Sequence, residues 1–179
     1  MLPLGSRAPD FENLLGTDGV RYSLASFADK PLLVVIFSCD HCPYVVDYET
    51  RMVEIQREYA TRGVQLVAIN SNDAESYPED SYDEMVERAK ERRFNFVYAR
   101  DEDQKVVEAY GAVCTPHVFL FDADRVLRYR GRIDDSRDPS RVKSPDLKNA
   151  LDDLLSGVPV RAPDTRPFGC SIKWYTADS

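Results

Sequence analysis

Pro31-Leu32-Leu33-Val34-Val35-Ile36-Phe37-Ser38-Cys39-Asp40-His41-Cys42-Pro43-Tyr44 decides the reading of this chain, because an apolar run stops there and two cysteines follow with two residues between them. Pro31 to Phe37 is continuous, β-branched and too short for a core helix, which predicts a strand buried on both faces. Downstream, Val45, Tyr48, Met52, Ile55 and Tyr59 recur at intervals of three and four, one face of an amphipathic helix. The cysteines therefore stand at a strand-to-helix turn. The unpaired N–H groups and the dipole of a helix start favour negative charge, and the thiolate is the reactive form of cysteine. A thiol pKa lowered from about 8.5 to about 7 raises the thiolate share at neutral pH from roughly 3 % to roughly half. Cys39 is expected to gain most, with Cys42 inside the first helical turn to attack a mixed disulfide on Cys39.

Length and composition bound the rest. The chain has 179 residues, no internal repeat and one C-x-x-C, which predicts a single domain over 1–179. A formal charge of -8, with Asp and Glu in excess over 73–87, argues against nucleic acid or an anionic membrane as partner. Met1 to Pro9 has neither a basic n-region nor an apolar h-region, so the cytoplasm is the expected compartment. Four cysteines, two in one motif, are too few for a secreted disulfide scaffold and suit a redox or metal role.

In chain order, 1–29 reads as an N-terminal extension with a short hairpin around Gly16-Thr17-Asp18-Gly19. Val64 to Asn70 is a second strand, in a right-handed parallel crossover with the first. Asn70-Ser71-Asn72-Asp73 leaves its C-terminal end, where open α/β sheets place their sites. A helix is predicted over 81–92, a strand over 94–98 and a short helix over 103–110 closed by Gly111. Thr115-Pro116 opens the strand His117 to Phe121, followed by a hairpin over 126–131 and an amphipathic helix over 146–155. Proline then punctuates a tail, 157–179, expected to dock on the domain through a buried Trp174.

With Cys39-Asp40-His41-Cys42 and Thr115-Pro116 together, the chain resembles the thioredoxin superfamily. The wider pattern, from the lead-in Gly5 to Phe11 through the hairpin after Asp122, looks like its redoxin or peroxiredoxin-like branch. Gly169-Cys170-Ser171-Ile172-Lys173-Trp174 is similar to an uncharacterised thioredoxin-like subgroup. The resemblance implies an α/β thioredoxin-like fold, a central mixed sheet flanked by helices, and a cis-proline at Pro116 that offers backbone to substrate with Thr115. It implies thiol–disulfide oxidoreduction without a bound cofactor: Cys39 attacks the disulfide of a protein or small molecule, Cys42 resolves, and a thiol reductant system closes the cycle.

Ser38 and Asp40-His41 replace the Trp and Gly-Pro of typical thioredoxins. His41 would favour the Cys39 thiolate and Asp40 oppose it. The strand before the motif carries no acid, so His41 or Asp73 is the candidate to take the proton of Cys42. A thiol peroxidase is the alternative activity. The Thr or Ser and the Pro that peroxiredoxins place before the reactive cysteine are replaced, however, by Cys39 and Val35 for Cys42, and by Ile36 and Leu32 for Cys39. A zinc or iron–sulfur module using Cys39, Cys42, Cys114 and His117 is the alternative of a different class, weighed against a proline that would cover the cysteine pair. His117 reads otherwise as a hydrogen-bonded sheet residue. Cys170 reads either as a third redox cysteine or, the preferred reading, as a small apolar side chain beneath the docked tail, in which case oxidation is expected to join Cys39 to Cys42 alone.

Overall fold

A computed structural model describes residues 1–176. The strands are β1 (Leu14–Gly16), β2 (Arg21–Tyr22), β3 (Leu32–Ser38), β4 (Val64–Asn70), β5 (Val97–Arg100), β6 (Cys114–Thr115), β7 (His117–Phe121), β8 (Leu127–Gly131) and β9 (Cys170–Ser171). The helices are α1 (Pro43–Tyr59), α2 (Tyr82–Glu91), α3 (Lys105–Tyr110) and α4 (Asp146–Leu155). Seven strands form one mixed sheet in the order β2-β1-β5-β4-β3-β7-β8. The β3-β4 and β4-β5 pairs are parallel and the others antiparallel. The N-terminal hairpin thus extends the sheet edge beyond β5.

Alternation along β3 explains why its run is apolar throughout. Leu32, Val34 and Ile36 pack with Tyr48, Met52 and Ile55 of α1, Met85 of α2 and Leu147 and Leu151 of α4. Leu33, Val35 and Phe37 face the other way, onto Val106, Val107 and Tyr110 of α3 and onto Phe11 and Phe27. A strand with a helical layer on each face has no position left for a polar side chain before its end. Every residue of β3 is buried.

The helices expected over 81–92 and 103–110 are shorter, Tyr82–Glu91 and Lys105–Tyr110, and two further boundaries differ from expectation. The fifth strand starts at Val97, opposite Val67, and runs to Arg100, opposite Asn70, because pairing with β4 sets its length. Phe94 and Phe96 precede it and stack on each other with ring centroids 4.5 Å apart. Helix α1 begins at Pro43 with Cys42 as its N-cap, so Cys42 stands just before the first turn rather than within it. Pro at the first helical position suits this start, since that N–H has no helical partner.

The tail is docked, but not by its tryptophan. Ile172 is 6 % exposed and belongs to the core on the α3 face, while Trp174 is 47 % exposed. The expectation of a buried indole is therefore corrected. The shorter side chain enters because main-chain bonds fix the tail here: Asp73 N–H donates to the Lys173 carbonyl (2.8 Å) and Lys173 N–H to Asn72 Oδ1 (2.9 Å). Of the tail expected over 157–179, residues 177–179 lie outside the described residues.

Candidate redox site

The C-terminal ends of β3 and β4, the start of α1, the turn before β7 and the tail converge on Cys39 and Cys42. Cys39 is 2 % exposed and Cys42 fully buried; both pack with Val45, Tyr44 and Cys170. Cys42 is not paired with Cys39. It forms a disulfide with Cys170, with Cα atoms 6.1 Å apart, while Cys39 and Cys114 are free thiols. This corrects the reading of Cys170 as an inert packed thiol and the expectation of a Cys39–Cys42 bond alone. The cause lies in the register of the tail, in which β9 pairs antiparallel with β6 and puts Cys170 opposite Thr115.

The Thr115–Pro116 peptide is cis. Thr115 Oγ1 lies 3.4 Å from Cys39 Sγ and the Thr115 carbonyl oxygen 3.7 Å from Cys42 Sγ, so one residue touches both sulfurs. Gly169 presses on the same carbonyl. A Cβ built there would stand 2.0 Å from Thr115 O and 3.2 Å from Pro116 N, a space only glycine can share.

The Cys39 thiol is pushed up to about 12, first by burial and then by the charge of Asp80. The Thr115 hydroxyl and the amides of Cys42 and His41 pull the other way and are outweighed. The expected lowering toward 7 is thus reversed in this closed arrangement. The helix-start amides are present, but a thiolate there would be desolvated beneath the tail.

The acid beside Cys39 comes from outside the motif. Cys39 Sγ, His41 Nδ1 and a carboxylate oxygen of Asp80 lie within 4.8 Å of one another. Asp80, fully buried, closes a short turn after Pro78 and stands 2.5 Å from His41 Nδ1. Its Oδ1 accepts from Asp40 N–H (2.7 Å) and Asn70 Nδ2 (3.1 Å), and its Oδ2 from Asn72 Nδ2 (3.1 Å). The His41 ring stacks on Tyr77, with centroids 5.6 Å apart. Asp40 accepts from Tyr98 Oη at 2.7 Å, and burial lifts its carboxyl to about 7 against that bond, with Asp80 adding to the rise.

Asp73 is placed differently. Its carboxylate accepts from the N–H groups of Glu75 (2.9 Å) and Ser76 (3.2 Å). Burial raises its pKa, but those bonds prevail and hold it below the ordinary value. Asp73 therefore shapes a turn and receives the tail, while Asp80 stands next to the Cys39 sulfur. Sequence reasoning missed Asp80 because it is one of several acids over 73–87. Its only signal was a proline-led turn following the C-terminal end of β4.

The four zinc or iron–sulfur candidates do not make a centre. Cys42 is consumed by its disulfide, and His117 Nδ1 accepts from Val113 N–H at 3.1 Å. Burial drives the His117 pKa down to about 4 and the Cys114 thiol up to about 11. Among the described residues, Cys39, His41 and Asp80 are the one convergent set of three donors, and the oxygens of Asp80 already accept side-chain amides.

The chain matches the Redoxin family over residues 3–151. It belongs to that family. No curated protein sequence matches the chain. An uncharacterized conserved protein from Geobacillus kaustophilus is 42% identical, with a TM-score of 0.93 over 99% of this chain and 95% of that one. A hypothetical protein from Sinorhizobium meliloti 1021 is 39% identical, with a TM-score of 0.91 over 99% and 97%. The thioredoxin domain of a thiol-disulfide oxidoreductase from Bacteroides vulgatus is similar in fold, with a TM-score of 0.68 over 87% of this chain and 99% of that one, at 17% identity. The redoxin fold is therefore thioredoxin-like, and the family points to redox chemistry.

Proposed function

We propose that this redoxin is a thiol–disulfide oxidoreductase working through Cys39 and Cys42. The observation that carries the reading is a free thiol, Cys39, packed in one cluster with a disulfide sulfur, Cys42, beside a cis-proline. These are the reactants of thiol–disulfide exchange. Once a thiol system has reduced the Cys42–Cys170 bond, Cys39 attacks the disulfide of a protein or small molecule and leaves a mixed disulfide, which the freed Cys42 thiol resolves. Asp80 and His41 accept the proton that Cys39 must lose, Thr115 and Pro116 present backbone to the substrate, and a cytoplasmic thiol system returns electrons.

The test is turnover of a disulfide such as insulin by the full chain. Cys39→Ser is expected to abolish reduction, and Cys42→Ser to accumulate a covalent mixed disulfide, since the first step alone survives. Full turnover by the Cys39 variant removes the reading. Turnover of hydrogen peroxide without disulfide reduction would assign the chain to thiol peroxidases instead.

A further inference from the structure

The tail crosses the site as a bound peptide would. Phe168 sits against Tyr44 and Tyr48 on the α1 face, with ring centroids 6.1 Å from each, while Ile172 is buried on the α3 face. Between them Cys170 and Ser171, preceded by Gly169 against the Thr115 carbonyl, pair with Thr115 and Cys114. The main chain is held on beyond that: Lys173 O accepts from Gln104 Nε2 at 3.0 Å as well as from Asp73 N–H. Strand addition at a free edge, with side chains anchored to either side, is how sheets hold extended peptides.

This arrangement closes the chemistry that the site is built for. Beneath the tail Cys39 is 2 % exposed and Cys42 is fully buried. An external disulfide therefore meets neither sulfur until the segment around Gly169 leaves. Contact between Gly169 and Thr115 also sets a condition on whatever replaces the tail, since a side chain at that position has no room.

We propose that the tail is a tethered occupant of the substrate edge and that Cys170 is a third redox-active cysteine, released from Cys42 by Cys39 so that an extended peptide bearing Gly-Cys takes its place. The proposal rests on the oxidoreductase reading above. In the step, the Cys39 thiolate attacks Cys42 Sγ, the Cys39–Cys42 bond forms and the Cys42–Cys170 bond breaks. The electron pair leaves on the Cys170 sulfur, which takes up the proton that Cys39 gave to the Asp80 and His41 pair. One disulfide is present before and after, so the exchange itself takes no outside oxidant or reductant, and the thiol system that returns electrons then opens the exposed Cys39–Cys42 bond before Cys39 meets a disulfide of the peptide.

The experiment maps disulfides and needs no substrate, which separates its failure from failure of the oxidoreductase reading. The full chain is equilibrated in a glutathione redox buffer, alkylated, digested and analysed by mass spectrometry. Wild type is expected to yield both Cys42–Cys170 and Cys39–Cys42 peptides. Cys39→Ser should hold Cys42–Cys170 alone, and Gly169→Ala, which cannot dock against Thr115, should shift to Cys39–Cys42. Ile172→Ser removes the apolar anchor without touching a sulfur and should shift the same way, so the test survives misfolding of either tail variant. A wild type that yields Cys42–Cys170 only, or folded tail variants that retain it as the main linkage, would overturn the proposal.

Discussion

The strand, turn and helix that carry Cys39 and Cys42 meet the segment that carries Cys170 at one disulfide, yet the two are held by different means. On the motif side, β3 has a continuous apolar run buried from both faces and paired along its length to β4 and β7. On the tail side, one exchangeable disulfide, a two-residue strand, the side chains of Phe168 and Ile172 and a few bonds to loop residues hold an otherwise irregular segment. A strand buried on both faces and paired along both edges opens only with the whole fold, whereas a segment held by a few discrete contacts opens locally. The site thus joins a fixed wall to a removable one. That difference gives a redox site with a buried sulfur a way to become exposed without unfolding.

The comparison breaks most severely in β3. Ile36→Ala deletes a fully buried side chain that packs toward α1 and should cost about 2–5 kcal/mol in urea unfolding. A smaller value would mean that the wall beneath Cys39 repacks. On the tail side, Cys170→Ala removes a crosslink spanning 128 residues and should lower the stability of the oxidised protein by roughly 2–4 kcal/mol. The reduced wild type should then match the reduced variant. If oxidised wild type and variant unfold at the same urea concentration, the disulfide contributes nothing to the closure.

The contrast also explains what could be read from sequence. The β3 run and the three-and-four spacing of α1 record local periodicity, and periodicity follows from which faces are buried. Cys39, Cys42 and Thr115-Pro116 were legible for the same reason, because their elements could be placed. Asp80 and the partner of Cys42 were not. Both depend on contacts between segments remote in sequence, one on a turn leading into α2 and the other on a tail without periodic pattern. Trp174 misled through its size: an indole offers the largest apolar area in the tail, but backbone bonds at Lys173 set which residue points inward.

The pH dependence sharpens the motif side. The Asp40 carboxyl is raised to about 7 by burial, above its ordinary 3.8. A carboxyl whose folded pKa exceeds its unfolded one binds its proton more tightly when folded. Its contribution is therefore fully present below pH 4 and lost as pH rises toward 7. Asp40→Asn cannot titrate, so wild type should lose on the order of 3–4 kcal/mol relative to the variant between pH 4 and pH 8. His117, held near 4 by burial, works in the opposite sense: its contribution is present above its ordinary 6.5 and lost as pH falls toward 4. It is common to both proteins and cancels in the difference. A flat difference across the range would place Asp40 in contact with solvent.

The smallest effect expected decides which residue anchors the tail. Trp174 leaves 47 % of its surface in water, whereas Ile172, two residues earlier, leaves 6 %. Lys173 Nζ also lies 5.7 Å from the Tyr77 ring, and Tyr175 Oη donates to the Glu102 carbonyl at 2.8 Å, so contacts on either side of the indole hold the backbone without it. Trp174→Ala is accordingly expected to cost about 1 kcal/mol or less, as for other exposed positions. Ile172→Ala should cost about 2 kcal/mol or more, because loss of its methyl groups leaves a void in the cluster on the α3 face. Paired denaturation curves of the two oxidised variants check the order. If Trp174→Ala proves the more costly, the indole rather than the isoleucine is the tail's anchor, and the main-chain register at Lys173 would no longer account for which side chain is buried.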